Sequence, residues 1–101
     1  MRCFYVLVHG RLEWQADMPI SDSLAATKPC GMYCHRYVLS ADAESAKTKA
    51  FERVRNNLDQ EMGWLSKGWV TLALEADAVV QASMLKLVRP DNRGHTFYTE
   101  D

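Results

Sequence analysis

The sequence is poor in glycine, and its five glycines are spread singly along 101 residues. The loops that cradle nucleotide phosphates need several glycines at close, fixed spacing. The chain also has no serine in the nucleophile-elbow pattern and no His-Glu-x-x-His pair. Nucleotide binding of the familiar kinds, elbow-type serine hydrolysis and zinc-peptidase chemistry are therefore not expected.

Cysteine is scarce as well. The sequence has three cysteines, Cys3, Cys30 and Cys34. This low and odd number argues against a disulfide framework and favours free thiols. Cys30 and Cys34 form a Cys-x3-Cys-His pattern with His35, one residue longer than the redox and haem-attachment motifs. Neighbours on a strand point to opposite faces, so Cys34 and His35 are poor co-ligands for one ion. We expect structural thiols, no metal and no cofactor; a zinc site would draw on Cys30 and Cys34, with Cys3 and His9.

An excess of one charge and long hydrophobic runs are also missing. Twelve Lys and Arg stand against thirteen Asp and Glu, a formal net charge of −1, so no global field draws the chain to nucleic acid or to an anionic membrane. The first apolar run, residues 4–8, is too short for a signal peptide or a bilayer span. We expect a cytoplasmic protein with neither nucleic acid nor membrane as a partner.

What the sequence does contain is the composition of a folded protein. Hydrophobic residues make up 48% and charged residues 25%, close to the globular average and far from disordered chains. A chain of this length can bury one core. We expect residues 1–101 to form a single domain with a long connecting loop over 11–31 and a polar C-terminal tail over 89–101.

Three segments predict strands by their β-branched and aromatic content. Residues 2–9 are apolar on both faces and are expected to end at Gly10, with residues 12–14 as an extension after a turn. Residues 33–39 and 69–76 follow, the latter with clean alternation of apolar and polar side chains. Residues 78–82 are compatible with a further strand or a helix start, and residues 95–98 with a short edge strand.

One long amphipathic helix is predicted between the second and third strands. It starts at residues 40–42, where Asp42 or Ser40 can accept from a free N–H group, and Gly63 is the expected left-handed residue at its end. A second, short helix over 83–88 would be capped by Ser83. The apolar stripe of the long helix consists of Ala43, Ala46, Ala50, Val54 and Leu58.

These elements predict an α+β fold: a mostly antiparallel sheet of three to five strands with the long helix on one face, in the manner of a ferredoxin-like half. That likeness concerns the fold alone and implies no function. We expect Val70, Leu72 and Leu74 to face the helix. The other face, which is the open face of the predicted sheet, would present some of Cys3, Tyr5, Leu7, His9, Tyr33, His35, Tyr37, Trp69, Thr71 and Glu75.

We expect this apolar face to be buried against another surface, because monomers seldom expose large apolar patches. A second copy of the chain, the 11–31 loop with the tail, or a ligand would each supply one. We favour the second copy, since packing of two open sheets around a two-fold axis is a low-cost solution. The expected partner is therefore another copy of this chain, with any protein or small-molecule partner unidentified.

Two groups of residues are candidates for chemistry. His9 or His35 with Glu75 or a tyrosine such as Tyr37 could perform acid–base catalysis on the open face. Arg89, Arg93 and His95 in the tail could clamp a phosphate or carboxylate.

No motif is specific enough to name a reaction. The favoured function is that of a homodimeric binding or regulatory protein, with enzyme activity left open but not favoured. The alternatives are a small cofactor-free enzyme using the His, Glu and Tyr residues of the open face, and an accessory or inhibitor protein that binds a partner through the 11–31 loop.

Overall fold

A computed structural model describes residues 1–15, 29–88 and 95–99. The elements in chain order are β1 (Arg2–Trp14), β2 (Gly31–Ser40), α1 (Ala43–Met62), β3 (Val70–Ala82), a 3-10 helix (Met84–Val88) and β4 (Thr96–Tyr98). The four strands form one antiparallel sheet in the order β3-β1-β2-β4. This confirms the predicted α+β fold, while the likeness to a ferredoxin-like half stays a prediction. No helix in the described ranges is long and apolar enough to cross a membrane.

The sequence predicted that the first strand ends at Gly10, but the strand continues beyond this residue. β1 continues to Trp14, and Gly10 pairs with Met32 on one side and with Leu74 on the other. A Cβ at Gly10 would lie 3.0–3.2 Å from the side chains of Leu72, Leu74 and Met32. Glycine is used here because neighbouring side chains pack against the backbone, and not because the chain turns.

The third strand also runs further than predicted. β3 extends to Ala82, and the register shifts between its pairings with Leu7 and Val8. Leu7 lies opposite Ala78 and Val8 opposite Ala76, so Asp77 is the additional residue of a β-bulge. Residues 78–82 therefore continue the third strand, which settles the alternative between strand and helix.

Helix α1 begins and ends where its capping residues predict. The Asp42 carboxylate accepts a hydrogen bond from the Ser45 N–H at 2.8 Å, and Gly63 is left-handed with φ 70°. The stripe formed by Ala46, Ala50, Val54 and Leu58 is buried, whereas Ala43, also predicted to belong to it, is exposed. Ser83 likewise caps the 3-10 helix through its hydroxyl, which accepts from the Leu85 N–H at 3.2 Å.

The core lies between this stripe and one face of the sheet. Its sheet side combines alternate residues of β1, β2 and β3: Phe4, Val6, Val8, Leu12, Met32, Cys34, Val38, Val70 and Leu72. Trp64 closes one end of the core, with its ring 4.8 Å from that of Trp14 and 5.6 Å from that of Phe97. Trp69, expected on the opposite face, precedes β3 and packs against this core.

Basic residues of α1 reach the edges of the sheet. Lys49 donates to the Leu39 carbonyl oxygen at 2.8 Å, Arg53 to the Tyr37 carbonyl oxygen at 2.7 Å, and Arg55 to the Leu72 carbonyl oxygen at 3.1 Å. These side chains satisfy carbonyl groups of β2 and β3. They oppose the pairing of a further strand along β2 beyond its short contact with β4.

Candidate functional site

The side of the sheet away from α1, which we call the open face, carries a cluster centred on His9. The His9 side chain is only 11% exposed. Its ring is stacked on that of Tyr33, with centroids 4.5 Å apart and an angle of 13° between the planes. Both of its ring nitrogens have partners, Glu75 on β3 and Tyr98 on β4. One histidine thus joins residues from all four strands of the sheet.

Glu75 determines which nitrogen of His9 carries the proton. The register places Glu75 directly opposite His9, and His9 Nδ1 lies 2.7 Å from Glu75 Oε1. An ionised carboxylate only accepts hydrogen bonds, so Nδ1 is the donor. In the neutral imidazole this leaves Nε2 as an acceptor for the Tyr98 hydroxyl.

Tyr98 completes this chain of hydrogen bonds, and the residue opposite it on β2 leaves room for its ring. Its cross-strand partner is Gly31, and a Cβ at Gly31 would overlap the Tyr98 ring. Loss of hydration, together with the neighbouring Tyr33 and Cys30, raises the pKa of the Tyr98 phenol. Tyr98 therefore remains a phenol near neutral pH and donates its proton to His9 Nε2.

A cleft of about 670 Å³ adjoins the cluster. His9 and Tyr98 form part of its wall, which also includes Arg11, Leu12, Glu13, Cys30, Thr71, Ala73 and Thr99. This volume falls within the range of small-molecule sites in proteins. Most of the wall comes from the C-terminal part of β1 and the N-terminal part of β3.

Arg11 is the basic residue of this wall, and it is exposed. No hydrogen bond or ion pair links it to another residue in the described ranges. A guanidinium in this position can bind a carboxylate or phosphate through two parallel hydrogen bonds. The cleft therefore combines a site for an anionic group with a hydrogen-bonded His–Tyr pair.

The structure separates the two histidines proposed for catalysis. His9 is paired with Glu75, as the sequence suggested for one of them. His35 instead packs between Tyr5 and Tyr37, with ring centroids 5.5 and 5.8 Å away. None of these three aromatic residues lines the cleft, so Tyr37 and His35 lie outside the wall to which His9 belongs.

Cys30 and Cys34 lie in different surroundings. Cys34 is buried in the core facing α1, and burial raises the pKa of its thiol. Cys30 lies near β4, with its Sγ 3.7 Å from the Tyr98 carbonyl oxygen. In the described ranges, the residues whose donor atoms gather closely enough for a metal ion are His9, Glu75 and Asp77, without a cysteine.

The proposed clamp in the tail falls mostly outside the described residues. Arg89 and Arg93 are not among them, and the same holds for residues 16–28 of the 11–31 loop. His95 is described, and its side chain is 1% exposed on the helix side of the sheet. It lies 3.5 Å from Arg36 Nη2 and 3.6 Å from Glu61 Oε2, so it belongs to a buried polar group and not to an open clamp.

Three residues of the candidate site were missed by sequence reasoning. Tyr98 was assigned to a short edge strand without a neighbour, Asp77 was left outside the strand predicted over 69–76, and Arg11 was placed in a turn after Gly10. The only available signal was for Tyr98, since an aromatic residue on an edge strand can pack over a glycine such as Gly31. The pairing of Tyr98 with Gly31 could be recognised only once the order of the strands in the sheet was known.

No family model, curated protein or solved structure matches the chain. The function is therefore inferred from the geometry of the site.

Proposed function

We propose that the protein binds a small organic acid in the cleft and exchanges a proton with it through Tyr98, His9 and Glu75. The observation that carries this proposal is the continuous hydrogen-bonded series from the Glu75 carboxylate through His9 to the Tyr98 hydroxyl. His9 and Tyr98, which would contact the ligand in this proposal, are part of the wall of the cleft. Arg11, on the same wall, supplies the positive charge that an organic acid needs.

Each group has a distinct task in such a transfer. A ligand that gives a proton to Tyr98 Oη allows the phenol to pass its own proton to His9 Nε2 in the same event. The imidazolium that results is stabilised by the carboxylate of Glu75, to which Nδ1 donates. Because the pKa of Tyr98 is raised, a free phenolate does not accumulate, and the hydroxyl serves as a relay.

Proton exchange at carbon provides the test. The protein is incubated in D₂O with small oxo acids, and the loss of their α-proton signals is followed by ¹H NMR. Wild-type protein is expected to accelerate this exchange. His9→Gln is expected to lower the rate on the order of 10²-fold or more, since a positioned acid–base group contributes about 10²–10⁴-fold.

The chain offers matched controls for these variants. His35→Gln removes a histidine from the same face outside the cleft, and Tyr37→Phe removes a hydroxyl there, so both are expected to retain the wild-type rate. Tyr98→Phe is expected to reduce it. If His35→Gln lowered the rate and His9→Gln did not, or if no oxo acid exchanged faster than in buffer, the proposal would be rejected.

A second function is favoured by the far end of the open face. Four large apolar side chains are exposed there, Leu39 by 39%, Val80 by 52%, Met84 by 52% and Leu85 by 74%. Leu39 and Val80 lie on β2 and β3 opposite Cys3 and Tyr5 of β1, and the 3-10 helix that carries Met84 and Leu85 contacts β1 and β2. We propose that a second copy of the chain covers this surface, which would make the protein a homodimer with its cleft beside the interface.

A further inference from the structure

The open face also brings together three groups that can bind a metal ion. The donor atoms of His9, Glu75 and Asp77 all lie within 4.8 Å of one another. Ligands about 2.1 Å from a shared ion lie roughly 3.0–3.4 Å apart at adjacent positions. His9 Nδ1 and Glu75 Oε1, 2.7 Å apart, are close to this spacing already. Small rotations of the exposed carboxylates would bring all three donors onto one ion.

The local backbone explains why these residues converge. Glu75 and Asp77 are separated by two positions on β3, which places both side chains on the open face. Asp77 is the additional residue of the bulge opposite the step from Leu7 to Val8. Bulges redirect side chains and are frequent beside functional sites. Here the bulge follows immediately after the residue paired with His9.

His9 has the environment of a metal-binding histidine. Ligand histidines hold their second ring nitrogen in a hydrogen bond, which fixes the ring and its tautomer. The Tyr98 hydroxyl contacts Nε2, and the stacked Tyr33 ring restricts rotation of the imidazole. With an ion on Nδ1, Nε2 carries the proton and donates it to Tyr98. The orientation of His9 therefore does not depend on the carboxylates.

Charge and donor type indicate which ion would bind. A neutral imidazole and two carboxylates carry a charge of −2, which a divalent cation neutralises. Asp77 makes no hydrogen bond or ion pair with another residue in the described part of the chain, so its carboxylate is available. A mixed nitrogen and oxygen set suits transition ions such as Mn²⁺, Fe²⁺ and Zn²⁺ better than Ca²⁺, which prefers oxygen alone.

We propose that His9, Glu75 and Asp77 form a binding site for a divalent transition-metal ion on the open face of the sheet. The ion takes the place of the proton shared by His9 Nδ1 and Glu75. Glu75 is 58% exposed, so solvent or a small ligand can occupy the remaining coordination positions. The proposal does not rest on proton transfer through Tyr98.

Titration with Mn²⁺ alone, on protein without an affinity tag, tests the site. Mn²⁺ is chosen because thiols bind it weakly, which keeps Cys30 from competing. Free Mn²⁺ is counted by electron paramagnetic resonance, and broadening of the His9 ring signals is followed by ¹H NMR. We expect one saturable ion per chain below about 1 mM, with His9 broadened much more strongly than His35.

Asp77→Asn is the decisive variant, because Asp77 takes no part in the proposed proton transfer. It is expected to weaken Mn²⁺ binding at least 10-fold, and this result does not depend on whether the protein exchanges a proton with any oxo acid. Glu75→Gln is expected to weaken binding similarly. Glu52→Gln, which removes an exposed carboxylate from α1, is the matched control and should bind like the wild type.

Two results would overturn the metal site. One is the absence of saturable binding up to about 1 mM. The other is binding that Asp77→Asn and Glu75→Gln leave within a factor of two of wild type, which would show adventitious surface binding only. Loss of oxo-acid exchange in wild-type protein would reject the proposed function and would not alter the Mn²⁺ result.

Discussion

Arg36 and His95 form a buried polar group beneath the sheet. Arg36 is 1% exposed and donates from Nη1 to the His35 carbonyl oxygen at 2.7 Å and from Nη2 to Asn57 Oδ1 at 3.1 Å. Glu61, one turn further along α1, lies 3.6 Å from His95 Nδ1. Burial and the Arg36 guanidinium lower the pKa of His95, and Glu61 opposes this shift. His95 is therefore held neutral in the folded protein.

This arrangement predicts that stability falls on mild acidification. The unfolded chain protonates His95 near pH 6.5, while the folded chain resists until a lower pH. Between these two values the unfolded state binds more protons, so the free energy of unfolding decreases as pH falls from 6.5. Urea denaturation from pH 7.5 to pH 5 should show a smaller decrease in His95→Gln than in wild type.

Glu61→Gln is expected to have the opposite effect to His95→Gln on the loss of stability at acidic pH. Without the carboxylate, the pKa of His95 in the fold is expected to fall further, which extends the pH range over which stability is lost. A His95→Gln protein with the same pH dependence as wild type would contradict this account. Arg36 alternates with the apolar residues Cys34 and Val38 along β2. Its partners come from α1 and from the segment before β4, and no local sequence pattern connects these parts of the chain.

At the level of elements, the strands were predictable as segments and less so in length. The second strand and α1 were found within a few residues, because their alternation and capping residues are local signals. The third strand was divided at Ala76 because the bulge at Asp77 reverses which side of the alternation faces the core. A prediction based on strict alternation of apolar and polar residues places the end of the strand at such a reversal.

The pairing of β4 with β2 is predicted to depend on Gly31. Gly31→Ala would drive a methyl group into the Tyr98 ring, so the ring must leave its place and its hydrogen bond to His9. We expect a loss of about 1–3 kcal/mol in the free energy of unfolding, as for other overpacked sites. Urea denaturation measures the loss, and the ¹H NMR shift of the His9 ring reports the displaced tyrosine.

A double-mutant cycle supplies the control for this prediction. In a Tyr98→Ala background the ring is absent, so Gly31→Ala should cost much less than it does in wild type. Equal costs in the two backgrounds would show that the strain has another source. The cycle isolates the contact between the two residues because each variant removes one of its sides.

For the whole molecule, composition and the order of elements were sufficient to predict the fold class. The order of the strands was not predictable, because it depends on pairings between residues as far apart as His9 and Glu75. The same limit applies to the site: His9 and Glu75 were both named as candidates, but Tyr98 and Asp77 join them only through the register. The open face was predicted to be covered by a second copy of the chain, and this stays a prediction.

The proposed homodimer can be tested on this exposed end. Edge-to-edge pairing along most of β2 is opposed by Lys49 and Arg53, which occupy carbonyl groups of that strand. Contact through the open face is therefore expected, and Val80, 52% exposed, lies on it. Sedimentation equilibrium should give about twice the chain mass of 11.5 kDa.

Val80→Lys places a charge on the expected interface without disturbing the core, because the side chain already reaches solvent. It should weaken self-association at least 10-fold, which corresponds to about 1.4 kcal/mol. Gln60→Lys, an equal change on the exposed side of α1, should leave it unaffected. A wild-type protein that remains at 11.5 kDa at high micromolar concentration would contradict the dimer. In that case Leu39, Val80 and the 3-10 helix would be left as a surface for a different partner.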